Sequence, residues 1–152
     1  MYQHDHDQAG TGPLRVFVVD DAPDHLLIVR RALATAGTTV AVETAEDAET
    51  AWKLLADRAV CPDLILLDIN MPGLSGFDLL RQVKADPQLR RTPVVMLTSS
   101  DLLNDVERAY ELGASGYISK PSVLAEMSAI LSHTVLYWAA MRRVEPARRA
   151  TQ

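Results

Sequence analysis

The stretch LILLDINMPGLSGFDLL, residues 64–80, holds a strand, a turn and the start of a helix in succession. Its first four residues are all apolar, which is typical of a strand covered on both faces of a sheet. Pro72-Gly73 then mark a turn. Ser75 is followed three residues later by Asp78, a spacing that resembles the capping box at the start of a helix. The segment therefore predicts a buried strand ending at Asp68, followed by a tight turn and a helix.

The same alternation of a short apolar run and an amphipathic stretch occurs five times along the chain. A strand, a crossover helix and a further strand in this order favour a parallel sheet with helices on both faces. We therefore predict an α/β fold. The predicted strands are 15–19, 39–43, 64–67, 93–97 and 115–118, and the predicted helices are 24–36, 46–58, 76–85, 102–112 and 122–142. Thr44, with Asp47 three residues later, is a predicted cap of the second helix.

The last predicted helix is longer than the strands of the predicted sheet. At 1.5 Å per residue it spans about 30 Å, against about 17–20 Å for a typical strand, so its end is expected to overhang the sheet. Tyr137 and Trp138 are neighbours whose side chains diverge by about 100°, and one domain is not expected to bury both. We therefore expect exposed apolar surface there, and a homodimer formed through this helix and the neighbouring strand and helix.

Composition and charge indicate one globular domain. The chain is 48% hydrophobic and 23% charged, and we expect a disordered tail at 1–13, a domain at 14–142 and a flexible tail at 143–152. A net charge of −5 argues against a nucleic-acid surface. No apolar run is long enough to span a bilayer, and no secretory signal is present. The single cysteine, Cys61, fits a reducing cytoplasm.

Polar side chains follow four of the predicted strands. Asp20 and Asp21 follow the first strand, Asp68 the third, Thr98 the fourth and Lys120 the fifth. The carboxyl ends of parallel strands meet at one edge, where open α/β sheets bind their ligands. Neighbouring carboxylates repel one another unless a cation is present, and oxygen donors suit Mg²⁺. A carboxylate beside a metal and a lysine can attack phosphorus, so the cluster predicts phosphoryl-transfer chemistry.

The chain from about Leu14 to Leu131 resembles the receiver domain of two-component response regulators, the chemotaxis-regulator-like group. The motifs that carry this resemblance are VVDD at 18–21, LILLDINMPGLSGFDLL at 64–80, PVVMLTSS at 93–100 and GYISKP at 116–121. The resemblance implies a doubly wound, flavodoxin-like sheet with strand order 2-1-3-4-5. It also implies that the chain is a phosphoacceptor whose partner is a sensor histidine kinase. Such a phosphoacceptor catalyses only its own phosphorylation and dephosphorylation.

The resemblance implies a role for each residue of the cluster. Asp68 would be the phosphoacceptor, and Lys120 would contact the phosphoryl group. Mg²⁺ would be held by Asp21 directly, by Asp20 directly or through water, and by Asp68 and the backbone carbonyl of Asn70.

Other positions would carry the switch. Thr98 would supply the switch hydroxyl and Tyr117 the aromatic side chain that changes rotamer, and the bond between Lys120 and Pro121 is expected to be cis. A narrower resemblance points to the small receivers paired with bacterial phytochrome kinases. The stretches that carry it are DPQLRRTPVVMLTSSD at 86–101, YELGASGYISKPSVL at 110–124 and TVLYWAAM at 134–141.

Other function classes fit the sequence less well. A phosphohydrolase with an aspartate nucleophile usually has a second Asp two residues later, where this chain has Asn70. A nucleotide- or flavin-binding domain would need a glycine-rich loop after the first strand, where Asp-Asp-Ala-Pro stands instead. An interaction module that works without phosphorylation remains open. The stretch after Lys120 is too short for a DNA-binding domain beyond the last helix, so we expect a single-domain regulator that binds a partner or passes its phosphoryl group onward.

Overall fold

The computed structural model describes residues 12–142, which form a five-stranded sheet and five helices. The strands are β1 (Leu14–Val19), β2 (Val40–Ala45), β3 (Leu64–Leu67), β4 (Val94–Thr98) and β5 (Gly116–Ser119). The helices are α1 (Pro23–Ala34), α2 (Ala48–Ala56), α3 (Gly76–Ala85), α4 (Leu103–Glu111) and α5 (Leu124–Arg142). The tails predicted at 1–13 and 143–152 lie outside the described residues, except for Gly12 and Pro13.

All neighbouring strands are parallel, in the order β2-β1-β3-β4-β5. This confirms the predicted α/β fold and strand order. Every residue of β3 and β4 is buried, as is every residue of β1 except Arg15. The edge strands β2 and β5 are only partly buried. The uniformly apolar runs of the sequence are therefore the interior strands, as expected for positions covered on both faces.

Alternate residues of the strands face two separate cores. Val16 and Val18 pack with α1 and α5 on one face. Phe17 and Val19 pack with α2, α3 and α4 on the other. Full burial of each such side chain contributes about 1.5–3 kcal/mol, so the two layers hold the sheet as a rigid platform.

One of the two predicted helix caps is confirmed. Ser75 Oγ accepts a hydrogen bond from the Asp78 backbone N–H at 3.3 Å, and Asp78 Oδ2 accepts one from the Ser75 N–H at 3.0 Å. These bonds, led by the one from the Ser75 backbone, lower the pKa of the Asp78 carboxyl.

The predicted cap at Thr44 is wrong. Thr44 belongs to β2, where it pairs with Val18, and the cap of α2 is Asp47, whose Oδ1 accepts from the Thr50 N–H at 2.6 Å. Pairing with β1 extends β2 through Ala45 and moves the start of the helix to Ala48.

The last helix carries one buried stripe, and its end is anchored. Met127, Leu131 and Val135 are buried, Trp138 is partly buried against the same core, and Tyr137 is 55% exposed. As expected, the domain does not bury both aromatic side chains. No helix within residues 12–142 is long and apolar enough to cross a bilayer.

The last helix is long, as expected, with 19 residues from Leu124 to Arg142, and its last turn is held in place by the Arg142 side chain. The Arg142 guanidinium donates to the carbonyl oxygens of Gly12 at 2.7 Å and Pro13 at 3.0 Å, and pairs with Asp63 at 3.1 Å. These contacts tie the last turn of α5 to the segments that lead into β1 and β3.

The start of α3 approaches the end of β3 so closely that only glycine fits at residue 76. A Cβ at Gly76 would lie 2.0 Å from the carbonyl oxygen of Asp68 and 2.9 Å from the Cα of Ile69. The Gly76 N–H also donates to the Ile69 carbonyl at 2.9 Å. Since the opposing atoms are backbone, they cannot move aside as a flexible side chain could.

We therefore expect Gly76→Ala to lower the free energy of unfolding by about 1–3 kcal/mol or more, as overpacking does. Urea unfolding followed by circular dichroism measures this. The control is Gly37→Ala, whose added Cβ would lie 3.5 Å from Leu136, an ordinary contact distance. Equal stability of the two variants would contradict the close approach.

Candidate functional site

Three residues at the carboxyl edge of the sheet are held by backbone hydrogen bonds that continue the strand pairing. The N–H groups of Asp20, Asp68 and Lys120 donate to the carbonyls of Ala45 at 3.1 Å, Val19 at 3.0 Å and Thr98 at 2.7 Å, respectively. Each of the three residues directly follows a strand. The sheet itself therefore fixes where their side chains begin.

The side chains of Asp20, Asp68 and Lys120 meet in a nearly closed cluster. They are only 3%, 9% and 8% exposed, respectively. Lys120 Nζ donates to Asp20 Oδ2 at 2.5 Å and lies 3.5 Å from Asp68 Oδ2. Asp20 Oδ1 accepts from the Ala22 N–H at 3.0 Å. Two buried carboxylates thus share one ammonium, and the excess negative charge favours a further cation.

A histidine that the sequence analysis did not identify completes the cluster. His25 Nδ1 lies 2.8 Å from Lys120 Nζ and 3.4 Å from Asp20 Oδ2. Its side chain is 42% exposed. Pro23 marks the start of α1, but no local signal in the sequence places His25 beside Lys120.

Three residues offer donors for a divalent cation. Asp20, His25 and Asp68 each provide one ligand atom, and these atoms all lie within 4.8 Å of one another. Carboxylate oxygens suit Mg²⁺ and Mn²⁺, so the donor set fits the metal that the sequence implies. Asp21 is half-buried and lies outside this group, and Asn70 is exposed. The metal-binding roles of Asp21 and of the Asn70 carbonyl stay predictions.

Ser100 joins two of the predicted switch residues, a link that the sequence did not predict. Thr98 is fully buried, and its Oγ1 accepts from the Ser100 N–H at 3.3 Å. The Tyr117 hydroxyl donates to the Ser100 carbonyl at 2.7 Å. Ser100 Oγ donates to Asp105 in the first turn of α4 at 2.5 Å. The end of β4, the edge strand β5 and α4 therefore share one hydrogen-bonded network.

The peptide bond before Pro121 is trans, as are all peptide bonds in the described part of the chain. The predicted cis bond is therefore wrong for this structure. Trans is the lower-energy form of an X–Pro bond by about 0.5–1 kcal/mol. With this geometry the Lys120 ammonium already reaches Asp20 at 2.5 Å, so the cluster does not require the cis form.

A cavity of about 370 Å³ lies beside the cluster, between α1 and the start of α5. Its lining includes the polar residues His25 and Lys120 and the apolar residues Ile28, Leu124 and Met127. Lys120 and His25 therefore face this cavity at the sheet edge.

Comparison with protein families gives one match that covers most of the chain. The model of the response regulator receiver domain matches residues 16–132. Chemotaxis protein CheY of Pseudomonas aeruginosa is 35% identical over 108 residues, which cover 71% of this chain and 85% of that protein. A probable cyclic di-GMP phosphodiesterase of Vibrio cholerae is 34% identical over 106 residues. The chain spans only 23% of the length of that relative.

Solved structures with the same fold include two response regulators. The phosphorylated cyanobacterial phytochrome response regulator RcpA superimposes with a TM-score of 0.80 at 31% identity, covering 86% of this chain and 96% of RcpA. The Mn²⁺-bound form of response regulator Rcp1 superimposes with a TM-score of 0.76 at 29% identity, covering 84% of this chain and 95% of Rcp1.

The Tyr117 phenol provides a test of the Ser100 network. Burial raises the pKa of this phenol above its ordinary value of 10.0, and the Asp105 and Asp101 carboxylates act in the same direction. The folded protein therefore prefers the neutral phenol. The stability that comes from this preference is fully present below the pKa of the phenol in the unfolded chain. It is lost as the pH rises through the pKa of the phenol in the folded protein.

At about pH 8 we expect Tyr117→Phe to be less stable than the wild type by about 0.5–1.5 kcal/mol, because it loses the bond to Ser100. The difference should shrink as the pH rises above the ordinary phenol pKa. Denaturant unfolding at several pH values measures both effects. Tyr110→Phe, at a side chain that is 49% exposed, is the control. A stability difference that does not change with pH would contradict this assignment.

Proposed function

The chain belongs to the response regulator receiver family, and on that basis we propose that Asp68 accepts a phosphoryl group from a sensor histidine kinase. The observation that carries the proposal is the setting of Asp68. Its carboxylate is buried at the carboxyl edge of the sheet, 3.5 Å from the Lys120 ammonium and in the same cluster as Asp20. A carboxylate with no chemical role would seldom be held so close to a second one.

In the proposed transfer, an Asp68 carboxylate oxygen attacks the phosphorus of a phosphohistidine on the kinase. A P–O bond forms as the P–N bond breaks, and the departing imidazole keeps the electron pair. The Lys120 ammonium, on its flexible side chain, turns from Asp20 toward the phosphoryl oxygens and neutralises part of their charge. The product is an acyl phosphate on Asp68.

Asp20 and Asp68, together with Asp21 and the Asn70 carbonyl, would hold the Mg²⁺ that this chemistry uses. A bound divalent cation neutralises charge on the phosphoryl group during transfer. The Mn²⁺-bound Rcp1 structure supports a divalent ion in a related protein. Within this chain, the Ala22 N–H orients the Asp20 carboxylate at 3.0 Å.

Thr98 and Tyr117 would transmit the change. A phosphoryl group adds about −1.5 to −2 charges and three acceptor oxygens, which attract a hydroxyl donor. If the Thr98 hydroxyl turns toward them, the Ser100 N–H loses its acceptor. The Ser100 carbonyl that holds Tyr117 then shifts, and the surface formed by α4 and β5 changes its contacts with a partner.

A bacterial phytochrome kinase is the partner that the similarity to RcpA favours, since RcpA is described as a phytochrome response regulator. We further propose a cytoplasmic location, which would keep the exposed Cys61 thiol reduced. The chain would act as a phosphoacceptor and would catalyse only its own phosphorylation and dephosphorylation. The phosphohydrolase alternative is disfavoured because residue 70 is Asn, where a second Asp would protonate a leaving group.

Incubation with acetyl phosphate and Mg²⁺ should add one phosphoryl group, visible in the intact-protein mass. We expect the adduct to be absent without a divalent cation and in Asp68→Asn, because each change removes a component of the transfer. Lys120→Met should reduce the yield strongly, since it removes the only ammonium of the cluster.

Asp47→Asn, at a partly exposed carboxylate that caps α2, is the control and should still form the adduct. An adduct of equal yield on Asp68→Asn would contradict the assignment. If wild type stays unmodified by acetyl phosphate and also fails to bind beryllofluoride, the protein is better described as a phosphorylation-independent interaction module.

We also propose a homodimer formed through α5 together with β5 and α4. Ile130, Tyr137 and Met141 follow one another at helical spacing, with Tyr137 55% and Met141 39% exposed. Tyr110 of α4 adds a further side chain that is 49% exposed. Trp138 packs partly against the core, so Tyr137 is the stronger interface candidate of the two. A two-fold axis would let this apolar stripe cover its own copy.

Tyr137→Ser should weaken dimerisation at least about tenfold, because a tyrosine at the centre of an interface typically contributes more than 1 kcal/mol. Light scattering coupled to gel filtration over a concentration series measures the change. Leu27→Ser, at an α1 side chain that is 49% exposed, is the control and should leave the dimer intact. A monomeric wild type at all concentrations would refute the proposal, as would a dimer insensitive to Tyr137→Ser.

A further inference from the structure

The cluster at the sheet edge contains a nitrogen donor that the proposed chemistry does not use. His25 Nδ1 lies 3.4 Å from Asp20 Oδ2 and 2.8 Å from Lys120 Nζ. Together with Asp68, the possible ligand atoms of these residues lie within 4.8 Å of one another. His25 therefore belongs to the same group of donors as the two buried carboxylates.

The Lys120 ammonium shows that this group already surrounds a cation. Its Nζ lies 2.5 Å from Asp20, 2.8 Å from His25 and 3.5 Å from Asp68. An ammonium can only donate hydrogen bonds, so His25 Nδ1 accepts one and presents its lone pair to the centre of the group. A neutral imidazole with an available ring nitrogen is the form that binds metals.

The spacing of His25 and Asp20 also suits two ligands of one metal ion. Ligands at about 2.1 Å from a six-coordinate ion are separated by roughly 3 Å when they are adjacent. The separation of 3.4 Å between His25 Nδ1 and Asp20 Oδ2 requires only a small movement to match this. The Lys120 side chain is long and flexible enough to leave when an ion enters.

We propose that His25 is a nitrogen ligand of the divalent-cation site, an inference that rests on the proposed metal-dependent function. Imidazole favours ions such as Co²⁺, Ni²⁺ and Zn²⁺, whereas carboxylates and carbonyls suit Mg²⁺. The site therefore binds a first-row transition ion more tightly than Mg²⁺, and His25 supplies much of that preference.

Titration of the full-length protein with Co²⁺ and with Mg²⁺, by calorimetry, tests the proposal. His4 and His6 are replaced by Ala in all samples, because they offer nitrogen donors of their own. Adding His25→Ala should weaken Co²⁺ binding at least about tenfold and Mg²⁺ binding less than about twofold. Pulsed EPR of the Mn²⁺-loaded protein should show coupling to a histidine nitrogen, which His25→Ala removes.

Asp68→Asn separates failure of this inference from failure of the proposed function. If Asp68→Asn weakens the binding of both ions while His25→Ala weakens the binding of neither, the carboxylate site stands and the nitrogen ligand is refuted. If neither ion binds the wild type, both the ligand and the metal-dependent function are refuted. His25 is 42% exposed, so a normal unfolding curve is expected for its variant and shows that any loss of binding is not a loss of fold.

Discussion

Two buried carboxylates that share a single ammonium are the constraint on which the rest of the site depends. Burying an ion costs several kcal/mol unless it is paired and hydrogen-bonded. Asp20 is compensated by the Lys120 ammonium and the Ala22 N–H, whereas the side-chain contact of Asp68 within residues 12–142 is a longer one, 3.5 Å from Lys120. The carboxylate proposed as nucleophile is thus the less well compensated one. A divalent cation or a repositioned Lys120 would improve its environment.

Such an arrangement persists because the backbone beneath it cannot relax. The backbone N–H groups of Asp20, Asp68 and Lys120 donate hydrogen bonds to neighbouring strands. Two apolar layers hold the sheet between them. Behind Asp68 the start of α3 is pressed against the Asp68 carbonyl, with room only for the hydrogen of Gly76. The side chain of Asp68 can therefore respond to a ligand while its main chain stays fixed. A site built on strand ends keeps its geometry better than one built on a long loop.

The sequence predicted the interior of the fold better than its edges, for physical reasons. Wholly apolar runs such as 64–67 and 94–97 identify strands covered on both faces, and Asp68 follows from its position after the first of these runs. The end of β2 was misplaced because pairing with β1, a tertiary effect, overrides the local capping signal of Thr44. The position of His25 depends on the helical phase of α1 and on the direction of the Lys120 side chain. Neither is encoded locally.

The hydrogen bonds explain why a signal from Asp68 would reach α4 and β5. Thr98 accepts two hydrogen bonds at the sheet edge. Its carbonyl accepts one from the Lys120 N–H, and its hydroxyl accepts one from the Ser100 N–H. Ser100 in turn holds Tyr117 through its carbonyl and Asp105 through its hydroxyl. These hydrogen bonds join the end of β4 to β5 and α4. They therefore couple Thr98 to β5 and α4 more directly than apolar packing couples it to α1. We infer that a change at Thr98 alters the α4–β5 surface before it alters the face formed by α1.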